Sequence, residues 1–254
     1  MHFLPDNEAA ALRERFDAVV SRLENAAKAS GRSMADIRLV AISKTHPAAM
    51  LAELFTHWRA GTPVFGENYV QEALEKQREV TSLLVKAANG RPLPEWHFTG
   101  HVQSRKAKDV TGRFALLHTL DSEKLADQIR KTVLAKNLPP QPVLVQINIG
   151  GEEQKSGIPA AEAEAFITAV ARIPQLRVDG LMCLPPFFEE AEASRPYFAR
   201  MRELRDALQR ATGLALPHLS MGMSHDCEVA VSEGATMVRI GTDIFGSRHY
   251  PDKI

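Results

Sequence analysis

The chain of 254 residues carries 31 basic and 31 acidic residues, so its formal net charge is zero. A zero balance provides no long-range field toward nucleic acid or an anionic membrane. Two cysteines without a C-x-x-C spacing argue against a disulfide framework, and the histidines lack H-E-x-x-H spacing, so we predict no metal site. No run of about 18 apolar residues and no leader segment is present, and we expect a soluble cytoplasmic protein.

The first predicted element is a helix over residues 6–30. Its apolar residues recur at helical spacing, namely Leu12, Phe16, Val19, Leu23 and Ala26. This helix precedes the first predicted strand, so it lies outside any regular alternation of strand and helix.

Eight short apolar runs follow, and helical patterns separate them. The runs lie at 38–43, 64–65, 96–98, 115–120, 143–149 and 178–184, with the last two beginning at 218 and 237. Parallel neighbours need long crossovers, and strands buried on both faces are apolar throughout, so this alternation predicts a parallel sheet covered by helices. The count of eight favours a closed barrel, and no G-x-G-x-x-G follows the first run.

We therefore predict an α/β fold with one domain over residues 1–254. It is a single (β/α)8 TIM-type barrel at about 38–250, with an extra N-terminal helix at 6–30. Residues 88–95 are predicted to form a surface loop.

The last two predicted strands run into small hydroxyl and glycine residues. The segments read HLSMGMS at 218–224 and MVRIGT at 237–242. Backbone N–H groups and hydroxyls at neighbouring strand ends bind phosphate, and such barrels commonly hold phosphate there. Two buried strands with ordinary turns explain these residues equally well.

Lys44 directly follows the first predicted strand and would lie at the same mouth of the barrel. Partial desolvation disfavours the charged amine and makes it a better nucleophile. A lysine that faces a phosphate site suits pyridoxal 5′-phosphate (PLP), because the amine forms the Schiff base while the loops hold the phosphate. Without the phosphate loops, Lys44 reads more simply as a strand-end lysine that reaches solvent.

Arg239 lies inside the last predicted strand, on the same face as Met237 and Gly241. A guanidinium in an apolar strand needs an acceptor, and a pyridine nitrogen would serve. Because arginine stays protonated, that nitrogen would remain unprotonated and the ring would be a weaker electron sink. The alternative is a salt bridge from Arg239 to Asp243 or Glu67.

A series of short motifs runs in order from about residue 38 to 248. They are VAISKT at 40–45, FGENYVQE at 65–72, WHF at 96–98, GEEQKSG at 151–157, GLM at 180–182, SMGMS at 220–224 and RIGT at 239–242. Together they resemble the PLP homeostasis protein family, also called the PLP-binding protein family. The resemblance implies a barrel similar to the N-terminal domain of alanine racemase.

The resemblance also implies which residues contact the cofactor. It implies PLP on Lys44, phosphate contacts from Ser220, Ser224, Gly241 and Thr242, Asn68 and Met223 close to the cofactor, and Arg239 near the pyridine nitrogen. The chain departs from the family pattern at Thr99, where isoleucine is usual, and at Arg105, where asparagine is common.

Two functions with PLP remain open, a carrier and an enzyme such as an amino-acid racemase or decarboxylase. Racemisation needs an acid or base on each face of the substrate, and Lys44 could serve one face. In the barrel racemases that the chain resembles, a tyrosine from a separate β domain serves the other. This sequence ends at Ile254, and Tyr69, Tyr197 and Tyr250 provide no evident replacement.

We therefore expect a PLP-binding carrier without catalytic residues, which acts in PLP homeostasis. We expect a monomer, with PLP-requiring apo-enzymes as recipients. A barrel enzyme that acts on a phosphorylated small molecule without PLP is a third interpretation of the same phosphate site.

Overall fold

A computed structural model provides the structure, which describes residues 3–59, 61–85, 87–88, 90–152 and 154–247. Its strands are β1 (Arg38–Ile42), β2 (Val64–Glu67), β3 (Glu95–Phe98), β4 (Leu116–Leu120), β5 (Gln141–Asn148), β6 (Ile158–Pro159), β7 (Leu176–Cys183), β8 (His218–Ser220) and β9 (Met237–Ile240). Its helices are α1 (Asp6–Ala29), α2 (Ala48–His57), α3 (Val70–Leu84), α4 (Ala107–Val110), α5 (Glu123–Ala135), α6 (Ala163–Ala171), α7 (Arg195–Thr212), α8 (Cys227–Ser232) and α9 (Thr242–Phe245).

Within the described residues, eight parallel strands close into a ring. The order is β4-β3-β2-β1-β9-β8-β7-β5, and β4 also pairs with β5. The predicted (β/α)8 barrel is therefore confirmed. The single domain over 1–254 stays a prediction, because its ends, like Glu153 and Arg248 of the family motifs and Tyr250, lie outside the described residues.

β6 is the one described strand outside the ring, and the sequence did not predict it. It extends the edge of β5, where Ile158 pairs with Ile147. The loop before it is fastened to β5, because the side chain of Gln146 donates to the carbonyl of Ser156 at 2.9 Å. This contact joins residues ten positions apart and leaves no local signal in the sequence.

The strands bury two different faces. The outer face packs against the helices, and the inner face carries an apolar cluster of Val40, Val64, Leu116, Leu144, Met182 and Met237. The expectation of strands that are apolar on both faces was wrong for part of the interior. Four polar side chains fill the barrel beside that cluster, and all are buried: His97, His118, Ser220 and Arg239.

Helix α1 confirms the predicted N-terminal helix and packs across the barrel's outer helices. Its buried stripe contains the predicted apolar residues, except that Ala27 is buried where Ala26 was expected. The stripe contacts α2, α8 and α9. Among the described residues, no helix is long and apolar enough to cross a membrane.

Candidate functional site

Strand register places Lys44 beside the loop that follows β9. In the β1–β9 ladder Ala41 pairs with Ile240, so each strand ends within one or two residues of this pair. Lys44 and Thr242 therefore emerge at the same edge, which is the carboxyl-terminal mouth of the barrel. Lys44 and the predicted phosphate loop thus emerge at one opening, and their contacts with a ligand stay a prediction.

The loop after β8 reaches the same edge. The carbonyl of Gly222 accepts from the backbone N–H of Arg239 at 3.0 Å, so Ser224 lies close to the end of β9. Gly222 has φ +91°, and a Cβ there would lie 2.5 Å from Cβ of Ala230. Only glycine fits this turn, which explains the glycine in the SMGMS motif.

The same loop is fixed internally by one carboxylate. Asp226 Oδ1 accepts from the backbone N–H of Met223 at 2.7 Å. The turn leaves Met223 39% exposed and Ser224 half-buried at the mouth. Thr242, on the neighbouring loop, is exposed. Two hydroxyls thus flank the opening into which Lys44 emerges.

The amide of Asn68 holds the amine of Lys44 from the side of β2. Its oxygen accepts from Nζ of Lys44 at 2.9 Å, and its nitrogen donates to Oγ1 of Thr99 at 2.7 Å. This orientation is the one that gives both ends of the amide a suitable partner. Gly100 packs against Asn68, since a Cβ at position 100 would lie 2.4 Å from the Asn68 carbonyl oxygen.

Thr99, a departure from the family pattern, therefore has a role in this chain. Its hydroxyl orients the amide that contacts Lys44, which an isoleucine could not do. Arg105, the other departure, lies in the short turn before α4, where its Nε donates to Gln103 at 3.0 Å.

A buried ionic cluster holds the turn after β1. Nζ of Lys76 donates to the carbonyl of Ser43 at 2.6 Å and to carboxylates of Glu67 and Glu72 at 2.7 Å each. The hydroxyl of Ser43 donates to Glu67 at 2.7 Å. The backbone N–H of Thr45, at φ +66°, donates to Glu72 at 2.5 Å. Ser43 and Thr45, the two neighbours of Lys44, are thus held in place by hydrogen bonds.

The pKa of Glu67 is shifted in this cluster. Burial raises the pKa of its carboxyl above the usual value of 4.5, while the ammonium of Lys76 and the hydroxyl of Ser43 act in the opposite sense. Lys76 is itself only 5% exposed. A buried pair of this kind is costly to break, because removing either partner leaves the other buried without compensation.

Arg239 is buried inside the barrel, where its guanidinium donates to two neutral groups. Its Nη1 donates to Oγ of Ser220 at 2.7 Å and its Nη2 to the carbonyl of Cys183 at 2.9 Å. Burial lowers the pKa of the guanidinium. In the part of the chain that the structure describes, no carboxylate forms an ion pair with Arg239.

The alternative of a salt bridge from Arg239 to Asp243 or Glu67 is therefore wrong. Asp243 pairs with Arg22, at 2.5 Å, and Glu67 pairs with Lys76. The barrel keeps the charge of Arg239 available to an acceptor that is not a carboxylate of the described chain.

A chain of hydrogen bonds runs from Arg239 through the barrel interior. Since Arg239 donates to Ser220, the serine hydroxyl can donate to Nδ1 of His118, at 2.9 Å. Nε2 of His118 then donates to Nδ1 of His97 at 3.0 Å. This leaves the proton of His97 on Nε2, which faces Glu95 at 3.7 Å, beyond hydrogen-bond length. In this order of donation both histidines carry their proton on Nε2, which is an assignment from the hydrogen-bond network, because a serine hydroxyl can equally accept two hydrogen bonds.

This series of hydrogen bonds ends with His97, at the amino-terminal face of the barrel. There Glu95 pairs with Arg38 at 3.1 Å, and both line a cleft of about 840 Å³. The sequence did not reveal that His97 and His118 belong to this hydrogen-bond series. Alternation with the inward-facing Leu116 would have placed His118 inside the barrel.

The predicted residues divide into two groups. Six of them lie at the mouth, namely Lys44, Asn68, Met223, Ser224, Gly241 and Thr242. The other two, Ser220 and Arg239, lie deeper. The hydroxyl of Ser220 is engaged by Arg239 and His118, so its phosphate contact stays a prediction. Among the described residues, no group of three histidine, cysteine or acidic residues is placed to hold a metal ion.

The residues at the mouth, together with Arg239 deeper in the barrel, fit PLP in chemical type. The amine of Lys44 suits an aldehyde, the hydroxyls of Ser224 and Thr242 suit a phosphate dianion, and the guanidinium of Arg239 suits a neutral ring nitrogen.

Comparison with known proteins agrees with the fold. The family "Alanine racemase, N-terminal domain" matches residues 15–249. A pyridoxal phosphate homeostasis protein of Aquifex aeolicus is 43% identical, over 93% of this chain and 98% of the relative. One of Escherichia coli K12 is 42% identical, over 92% of this chain and 96% of the relative.

A solved structure supports the same relationship. PipY of Synechococcus elongatus, solved with PLP bound, is 31% identical with a TM-score of 0.77, and the match covers 92% of this chain and 100% of PipY. Fold and site together define a barrel of the alanine racemase N-terminal-domain class. Within that class, the chain belongs to the pyridoxal phosphate homeostasis protein family.

The buried histidines predict a loss of stability in mild acid. Burial lowers the pKa of His97 and, further, that of His118 below the usual 6.5. Below pH 6.5 these histidines take up protons in the unfolded chain but not in the folded one. The free energy of unfolding is therefore at its full value above pH 6.5 and decreases as the pH falls below it. Each such histidine contributes a slope of about 1.4 kcal/mol per pH unit.

Urea unfolding at a series of pH values measures this slope. His118→Gln keeps an acceptor and a donor but does not titrate, so its free energy of unfolding should fall less steeply below pH 6.5. His225→Gln, at an exposed position, is the control. Equal slopes in His118→Gln and wild type would contradict a neutral, proton-excluding His118.

Proposed function

We propose that this protein binds PLP at the carboxyl-terminal mouth of its barrel and acts in PLP homeostasis as a carrier. The observation that carries the proposal is the shared edge of β1, β8 and β9, because Lys44, Ser224 and Thr242 all follow the carboxyl ends of these strands. The name of the curated relatives and the PLP bound to PipY support it.

Lys44 is the residue that would hold the cofactor covalently. When bound, PLP supplies an aldehyde that an amine can capture and later release by exchange. Asn68 directs the lysine amine, and the cluster around Lys76 fixes the backbone on both sides of it. The chain thereby keeps the amine aimed across the mouth before any ligand arrives.

The loops after β8 and β9 would hold the phosphate. The hydroxyls of Ser224 and Thr242 and the backbone at Gly241 provide donors for a dianion, and charge-assisted hydrogen bonds of this kind are the stronger ones. A Cβ at Gly241 would come within 3.2 Å of the Ile42 carbonyl oxygen, so glycine lets this loop approach β1 closely. Met223 would flank the cofactor from the rim.

Arg239 favours a carrier over an enzyme. A guanidinium supplies only donors, so it leaves a ring nitrogen unprotonated and limits the ring as an electron sink. Carbanion chemistry such as racemisation or decarboxylation draws on that sink, so a weaker sink disfavours it. We also propose PLP-requiring apo-enzymes as recipients and the cytoplasm as the location. The monomeric state stays a prediction.

The first test asks which lysine takes the cofactor. Wild-type protein incubated with PLP should show a visible absorption band, and borohydride reduction followed by peptide mass spectrometry should place the cofactor on Lys44. Lys44→Ala should lose the band. Lys131→Ala, which removes a surface lysine paired with Asp127, should behave as wild type. Reduced cofactor on another lysine would contradict the proposed site.

The second test separates carrier from enzyme. The PLP-loaded protein is incubated with a panel of L- and D-amino acids, and chiral chromatography with carbon dioxide detection measures racemisation and decarboxylation. A carrier should give no sustained turnover, because a ring nitrogen that Arg239 leaves unprotonated makes the ring a weaker electron sink. Repeated turnover of any amino acid would establish the racemase or decarboxylase alternative.

The third test examines Thr99. Thr99→Val keeps the side-chain shape and removes the hydroxyl that orients Asn68. We expect PLP affinity to fall by roughly three- to tenfold, the value of about one neutral hydrogen bond. Absorbance titration measures the change.

The matched control for Thr99 is Thr132→Val. It removes the hydroxyl of a threonine in α5 that bonds to Gln128 at 2.7 Å, away from the mouth, so PLP affinity should remain unchanged. Equal affinity of Thr99→Val and wild type would show that Thr99 does not position the amine.

A further inference from the structure

Arg22, on the extra helix α1, binds both loops of the proposed phosphate site. Its Nη2 donates to the carbonyl of Ser224 at 2.8 Å, in the loop after β8. Its Nε and Nη2 donate to the carboxylate of Glu228, at 2.5 and 3.0 Å. Its Nη1 donates to Asp243 at 2.5 Å, directly after Thr242. One guanidinium therefore links the segments that follow β8 and β9.

The contacts of Arg22 also balance charge next to the proposed dianion. Glu228 and Asp243 place two carboxylates behind the loops, and each would repel a phosphate if it were unpaired. Burial acts to raise the pKa of Glu228, but hydrogen bonds from Arg22 and Cys227 keep it below its usual value. Glu228 is thus ionised, and both carboxylates are bound to Arg22.

The geometry of Arg22 is that of a fixed fork. A guanidinium presents its donors in one plane, so binding three partners at once fixes their relative positions. Loops held at their final spacing bind a ligand more tightly, because less ordering remains for the binding step. Ser224 and Thr242 are the residues whose spacing is fixed here.

We propose that Arg22 is a positioning residue for the phosphate group of PLP. It holds the loops after β8 and β9 at the spacing that a phosphate dianion needs, and it screens the two carboxylates behind them. Helix α1, outside the barrel repeat, thereby becomes part of the cofactor site. This inference rests on the proposed function, since it assumes that the two loops bind phosphate.

The experiment compares PLP with pyridoxal, which has the same aldehyde and ring but no phosphate. Absorbance titrations with both ligands are made on wild type, Arg22→Ala and Arg22→Lys. Loss of the fork should weaken PLP binding by about tenfold or more, as for hydrogen bonds to a charged group. Pyridoxal binding should change by less than about twofold, since it makes none of these contacts.

Two further variants calibrate the result. Arg13→Ala removes another ion pair of α1, to the buried Glu53 of α2. It should lower the melting temperature without changing the ratio of PLP to pyridoxal affinity. Thr242→Ala removes a proposed phosphate donor and should change that ratio as Arg22→Ala does. Arg22→Lys restores the charge but not the fork and should lie between wild type and Arg22→Ala.

The outcomes separate this inference from the function on which it rests. An unchanged ratio in Arg22→Ala, while Thr242→Ala changes it, would overturn the role of Arg22 alone. An equal loss of both ligands in Arg22→Ala would do the same, because it would indicate general disorder. Failure of wild type to bind PLP would overturn both proposals. If Arg22→Ala does not fold, the ratio in Arg22→Lys decides.

Discussion

The site depends on the parallel register of β1 between β2 and β9. Closure of the ring leaves each strand of the barrel one fixed neighbour on either side, so residues far apart in sequence reach the mouth at the same level. Lys44 comes from the first strand of the ring, and Thr242 from the last. Because register is set by the burial of both strand faces, a shift by one residue would turn every inward side chain outward. The distance between amine and hydroxyls is therefore a property of the barrel core.

Part of the barrel interior is filled by polar side chains instead of apolar ones. Arg239, Ser220, His118 and His97 form a connected set of donors and acceptors in a region where polar groups are costly. These bonds hold the four side chains in one arrangement, in which Nε2 of His97 is the member without a hydrogen-bond partner. The guanidinium is thereby held by neutral partners in the barrel interior.

Much of the fold and part of the site could be read from the sequence. The eight apolar runs and the terminal residues of three of them predicted the barrel, Lys44 and Thr242, because each signal lies within a few consecutive residues. The partners of Arg239 could not be predicted, since His118 and Ser220 are 102 positions apart. Arg22 was missed for a related reason. An arginine on the polar side of a terminal helix has the pattern of a solvent-facing residue, and only the packing of α1 on α8 and α9 brings it to the loops.

The backbone at Thr45 carries a consequence for how the amine is aimed. A threonine with φ +66° occupies a region that β-branched residues avoid, at a cost on the order of 1 kcal/mol. The bond to Glu72 offsets this cost, so the turn keeps its shape by a contact with α3. A glycine there would adopt the same backbone freely, but it would adopt many others as well. The threonine therefore restricts the backbone conformations next to Lys44, and its hydrogen bond to Glu72 of α3 keeps the turn in the observed one.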